Sequence, residues 1–126
     1  MTETRTCKRC GRAIEWRRKW ADVWDSIQFC SDACRRKRIG ASDRALEQSI
    51  IRLLATRPAA STICPSEAAR EVFPDQWRDH MEDTRQAARR LVAAGFIEIT
   101  QGGAVVDPSA VKGPIRLRKT RGFPAP

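Results

Sequence analysis

The sequence predicts an α+β chain, mostly α, in which a small four-cysteine zinc module precedes a domain of three helices and a hairpin. Two observations carry this. Four of the five cysteines fall before residue 35 as two close pairs, and beyond residue 41 apolar residues recur at helical spacing until a glycine-punctuated β pattern takes over. A third observation, the charge, points to function. The net charge of +9 divides into eleven Lys and Arg against five acids in residues 1–40, eight against ten in residues 41–111, and five against none in residues 112–126. Basic ends of this kind favour a polyanion or an acidic surface. No apolar run exceeds about seven residues, far short of a bilayer span, and no signal-peptide core opens the chain. The expectation is a cytoplasmic protein without a membrane partner, where reduced, clustered thiols read as metal ligands before disulfides.

The elements follow in order. Cys7-x2-Cys10 and Cys30-x3-Cys34, with nineteen residues between them, supply two chelating pairs suited to one structural Zn2+ in tetrahedral coordination. Lys8, Arg9, Arg12, Arg35 and Arg36 would offset the charge of a four-thiolate site. About thirty residues cannot bury enough apolar surface to stand alone, so metal binding should be coupled to folding. Gly11 follows the first pair where a knuckle turn calls for positive φ. Trp16, Trp20, Val23, Trp24 and Ile27 fit one helical stripe, which predicts a short helix there with Arg17, Arg18 and Lys19 on its opposite side. Whether the rings pack around the zinc unit or stack on bases stays open at this point. Ser31 and Asp32 could start a helix carrying Cys34 and the run Arg35, Arg36, Lys37, Arg38.

Cys-x2-Cys-Gly followed by Phe29-Cys30-Ser31-x2-Cys34 resembles treble-clef zinc fingers of the FCS type, also seen in a small zinc-bearing ribosomal protein family. More closely, C-x2-C-G-R-x-I-x-W-R-x-K-W with F-C-S-x2-C-R-R, over about residues 5 to 38, is similar to an uncharacterised bacterial family of short four-cysteine proteins. The resemblance implies zinc and brings no activity. A helix between the metal pairs departs from the treble-clef hairpin.

After the connection Ile39-Gly40-Ala41, Ser42 is placed to cap a first helix from Asp43 to about Thr56, with Leu46, Ile50, Leu53 and Leu54 on its apolar face. Arg57-Pro58 ends it. Ser61 to Ile63 is β-prone, and Pro65 suits the first turn of a second helix to about Val72 or Phe73, with Glu67 near its positive end. A third helix should run from about Gln76 to Ala94, burying Trp77, Met81, Thr84, Ala88, Leu91 and Val92 and stopping at Gly95. Phe96 to Thr100 and Ala104 to Val106 then read as a hairpin across Gln101-Gly102-Gly103. A final strand would bury Ile115 and Leu117 and expose Arg116 and Arg118.

Three helices and a hairpin give the order of a winged helix-turn-helix domain, and Arg85-x2-Ala88-x2-Leu91-x3-Gly95-x-Ile97 is similar to that superfamily's passage from third helix to wing. The stretch Thr62 to Arg70, with Trp77-Arg78, Gly95-Phe96-Ile97 and Gly113-Pro114-Ile115-Arg116-Leu117, resembles a second uncharacterised bacterial family over about residues 43 to 119. The division expected is a zinc module with its basic helix over 1–40, a winged-helix domain over 41–119 and a flexible tail over 120–126.

The function expected is non-enzymatic binding of nucleic acid, DNA or RNA, through a bipartite basic surface. Arg17, Arg18, Lys19, Arg35, Arg36, Lys37 and Arg38 form one part and Arg85, Arg89, Arg116 and Arg118 the other. Glu82 lies within the stripe of Arg78, Arg85 and Arg89, so a salt-bridged solvent face competes with a groove-reading one. The rival reading is a protein-interaction adaptor using the winged helix and the tryptophan helix. No catalytic constellation or small-molecule site is evident. The exception weighed is Cys64, which precedes Pro65 at a helix start, where a thiol gains reactivity.

Overall fold

The computed structural model describes residues 3–124. Strands β1 (Thr4–Thr6) and β2 (Ala13–Glu15) form an antiparallel hairpin around the first cysteine pair. Two one-turn 3-10 segments follow, Arg18–Trp20 and Trp24–Ser26, and then the five-residue helix α1 (Asp32–Arg36). The second unit contains α2 (Ala41–Ala55), β3 (Thr62–Ile63), α3 (Pro65–Val72) and α4 (Met81–Ala93). It closes with β4 (Ile97–Gln101), β5 (Ala104–Val105) and β6 (Arg116–Lys119). None of the helices among the described residues is long and apolar enough to cross a membrane.

The helical periodicity of the second unit becomes its core. Leu46, Ile50 and Leu54 of α2 meet Ala68 of α3 and Ala87, Ala88 and Leu91 of α4, over a sheet face made by Ile63, Ile97, Ile99, Ile115 and Leu117. Each fully buried Leu or Ile contributes roughly 1.5 to 3 kcal/mol relative to exposure. The four-stranded antiparallel sheet has the order β3-β6-β4-β5. The last strand thus inserts between β3 and β4, with Leu117 opposite both Ile63 and Ile99. Gly102 and Gly103, at φ +60° and +86°, make the tight β4–β5 turn.

Several local expectations change. No single helix carries Trp16 to Ile27, because β2 consumes the chain to Glu15 and the remainder must double back to bring Cys30 beside Cys10. Val23 is exposed rather than on an apolar stripe. Helix α2 starts at Ala41, two residues early, because Asp43 accepts the Gly40 N–H at 2.8 Å and closes the first turn. The third helix starts late: Trp77–His80 is a 3-10 turn, with the His80 ring stacked on Phe73 at 3.6 Å and the His80 carbonyl accepting the Thr84 hydroxyl. Trp77 and Met81 are only half-buried there. Within the expected tail, Thr120 donates to the Gly95 carbonyl at 2.5 Å and Phe123 packs on the core. Residues 125–126 of that tail lie outside the described residues.

Candidate metal centre and the surfaces around it

The four cysteines of the first unit converge. One Sγ from each of Cys7, Cys10, Cys30 and Cys34 lies within 4.8 Å of the others, with Cys10–Cys30 at 3.5 Å and Cys30–Cys34 at 3.6 Å. Tetrahedral thiolates at about 2.3 Å from an ion would stand about 3.8 Å apart, so the set fits a metal ion. Local structure makes the convergence. The knuckle folds through Gly11 N–H to the Cys7 carbonyl, and Gly11 takes φ +77°, the conformation the sequence called for. Ser31 caps α1 by accepting the Cys34 N–H, which holds the second pair one helical turn apart.

The electrostatics favour a cation. Burial opposes ionisation of Cys7, yet backbone N–H groups of Cys10, Cys30 and Arg9 overcome it and bring the thiol from 9.0 down to about 7. Burial pushes Cys10 up to about 12 and raises Cys30 as well. Four adjacent sulfurs cannot all ionise without a compensating positive charge, which a divalent ion would supply.

Around this centre Ile14 and Trp24 are buried, with Trp20, Ile27 and Phe29 half-buried against them. Trp24 and Trp20 stack at 6.4 Å, and the Trp24 indole N–H donates to Glu3. Two tryptophans therefore pack the module, while Trp16 is 39% exposed. Beside Trp20 lies an open groove of about 840 Å3 walled in part by Arg17, Lys19, Phe29 and Arg35. The Arg17 guanidinium and Lys19 ammonium both stand over the Trp20 ring, at 5.4 and 5.2 Å. The rings and cations interleave here, contrary to the opposite-face arrangement a helix would have given.

The knuckle docks on α4. Arg89 Nε donates to the Cys10 carbonyl and Arg90 Nη1 to the Arg9 carbonyl, each at 2.5 Å. Arg9, itself buried, pairs with the buried Asp43 at 3.1 Å, and the Ala13 N–H donates to Ser109 at 2.7 Å. No local signal could foretell contacts between residues 79 and 81 positions apart.

The remaining expected contact residues divide. Arg17, Arg18, Lys19, Arg36 and Arg38 are exposed or nearly so, without an acidic partner among the described residues. Arg35 pairs with Asp32 at 2.9 Å and Lys37 with Asp83 at 3.8 Å, both remaining largely exposed. Arg85 donates to the Gly113 carbonyl and Arg116 to Thr62, and neither has a direct ion-pair partner among the described residues. Arg118 is paired with Glu98 at 2.6 Å. Arg89, expected among the contact residues, is not open to a groove: it is 5% exposed, bound to Cys10 and Glu82, and the knuckle sits on it. Cys64 is half-buried at the start of α3, its Sγ accepting the Ser66 hydroxyl at 3.0 Å.

Both sequence resemblances find a counterpart. The family model described as "Protein of unknown function (DUF3253)" matches residues 43–120, and the one described as "Uncharacterized protein conserved in bacteria (DUF2256)" matches residues 2–37. No curated protein matches the chain.

Proposed function

This chain belongs to the DUF3253 family, and we propose that it is a zinc-containing, non-enzymatic nucleic-acid-binding protein whose principal contact surface lies on the metal module. The observation that carries the reading is the groove beside Trp20, where Arg17, Lys19 and Arg35, the last paired with Asp32, border the half-buried Trp20 ring and Phe29. Cations that neutralise phosphates beside an aromatic face on which a base can stack are the two requirements of strand binding. The donor set of four thiolates suits zinc, which would hold the groove rigid.

We read the second unit as a winged helix in which β4 and β5 form the wing and β6 is an additional strand. In winged-helix proteins the third helix enters the major groove. Here Arg89 and Arg90 of that helix are committed to the knuckle, so recognition shifts to the metal module, with Arg85 and Arg116 left as a second positive surface. Joining two weak sites on one chain raises affinity through effective concentration.

The test is binding of single- and double-stranded DNA and RNA as a function of salt. Log affinity should fall linearly with log salt, by about 0.9 per phosphate contact on a duplex or about 0.7 on a single strand. Replacing Arg17 and Lys19 together with glutamine should reduce that slope by about one to two contacts. A salt-insensitive complex, or a double variant that binds as the parent does, would reject the reading. A stable protein partner purified free of nucleic acid would replace it with the adaptor.

A further inference from the structure

The four clustered cysteines differ in how far solvent reaches them. Cys7 and Cys10 are buried, at 0% and 4% exposure, whereas Cys30 and Cys34 are half-buried. Cys30 borders two cavities at once. One is the groove of about 840 Å3 beside Trp20, and the other, of about 390 Å3, lies between β2 and the segment around Ser109. Cys34 borders neither.

The surroundings of Cys30 are those that activate a thiolate. Arg17 borders both cavities and Lys19 the larger, and neither has an acidic partner among the described residues. Arg35 borders the larger cavity too, paired with Asp32 at 2.9 Å. Accessible cysteines among cations are the ones that react, because the thiolate is the nucleophile and nearby positive charge stabilises both it and a departing anion. A second sulfur is in place, since Cys34 Sγ lies 3.6 Å from Cys30 Sγ. Cys10 Sγ is as near, at 3.5 Å, but that residue is buried and its carbonyl is held by Arg89, whereas Cys34 stands on the five-residue helix α1.

We propose that Cys30 is a modification site for hydrogen peroxide, and that its oxidation releases the metal and dismantles the groove beside Trp20. The Cys30 thiolate sulfur attacks one peroxide oxygen, the O–O bond breaks and hydroxide leaves, giving a sulfenic acid. The Cys34 thiolate then attacks that sulfur and displaces a second hydroxide, forming a Cys30–Cys34 disulfide. The two thiolates together give up an electron pair, and the peroxide takes it and ends as the two hydroxides. Half of the donor set is then gone, and the remaining pair of thiolates no longer closes a tetrahedral site. The first unit has a small apolar cluster of its own, so loss of the ion carries loss of the groove with it. A thiol reductant reverses the step by exchange. The consequence for binding rests on the strand-binding reading above, whereas the oxidation itself does not.

The experiment treats the zinc-loaded full chain with equimolar hydrogen peroxide, follows zinc release with a colorimetric chelator, and maps alkylated and disulfide-linked cysteines by mass spectrometry. Zinc should be released, the first disulfide should join Cys30 to Cys34, and dithiothreitol with added zinc should restore the metal content. Cys30→His keeps a zinc donor at that position while removing the thiol. It should release zinc at least about tenfold more slowly, since thiol oxidation follows exposure and the other sulfurs are less accessible. Cys64→Ser, outside the cluster, should release zinc as the parent does. A first disulfide that omits Cys30, release from Cys30→His as fast as from the parent, or zinc retained by the treated parent would overturn the proposal. The disulfide map is read on the parent alone and decides the matter even if Cys30→His binds no zinc. Strand binding that persists after zinc release would overturn the regulatory step. Zinc release from a chain that binds no strand at any stage would reject the strand-binding reading and leave the oxidation standing.

Discussion

Gly11 sets how closely the metal knuckle approaches α4. A Cβ built there would stand 2.6 Å from the Arg89 main-chain carbonyl carbon and 2.8 Å from the Arg90 nitrogen, neither of which can yield as a flexible side chain would. Its φ of +77° adds about 1 to 2 kcal/mol for any residue with a Cβ. Gly11→Ala should therefore cost roughly 2 kcal/mol or more and lower the melting temperature of the zinc-loaded protein by several degrees. A melt indistinguishable from the parent's would mean that the knuckle does not rest on the helix. Glu67 gives a different residue-scale expectation. Burial pushes its carboxyl up, but Arg57 at 2.9 Å, the Cys64 N–H and the Arg116 charge pull harder and hold it below its ordinary 4.5. A carboxyl depressed on folding stabilises fully above its unfolded pKa and loses that contribution as pH falls through the folded value. Below 4.5, amide exchange in α3 should accelerate more steeply with acid in the parent than in Glu67→Gln. Parallel profiles for the two would show that the interaction contributes nothing.

At the scale of elements, legibility followed periodicity. The i, i+4, i+7, i+8 pattern from Leu46 to Leu54 is unambiguous, and α2 carries it. Trp16, Trp20 and Trp24 are spaced by four, which helices and strands share, and neighbouring apolar residues point to a helix that the chain reversal between the cysteine pairs does not permit. The convergence of four cysteines was legible because chelation would impose short spacings on the sequence itself. Helix α4 shows where pattern runs out. Arg85 and Arg89 fall on one stripe, but a stripe says nothing of what covers it, and Arg89 is under the knuckle while Arg85 reaches only Gly113. That difference is measurable. Arg89→Ala removes a charged donor from the carbonyl of Cys10, which would ligate the proposed zinc, so zinc affinity measured against a competing chelator should fall about tenfold or more. Arg85→Ala should leave it unchanged. Equal affinities in both variants would show that α4 does not orient the metal loop.

For the whole molecule, the two units differ in what holds them. The second has a continuous core drawn from three helices and a sheet, whereas the first has two three-residue strands, a one-and-a-half-turn helix and a cluster whose buried members include Cys7 and Cys10. The proposed structural zinc would supply about 10 to 16 kcal/mol of apparent binding free energy, comparable to the whole stability of an ordinary domain. Removing it should unfold the first unit and leave the second standing. The consequence reaches across the interface, because the carbonyls that occupy Arg89 and Arg90 belong to Arg9 and Cys10, and the partner of Asp43 is Arg9. Chelation should therefore free Arg89, Arg90 and Asp43 together, restoring to α4 the exposed cations that the docked knuckle covers. Hydrogen exchange read by mass spectrometry should show residues 3–38 exchanging rapidly after chelation, α2 and α3 still protected, and α4 intermediate. Unchanged exchange throughout would remove the metal from the account of the fold, and equal loss of protection in all three helices would make the two units a single cooperative body.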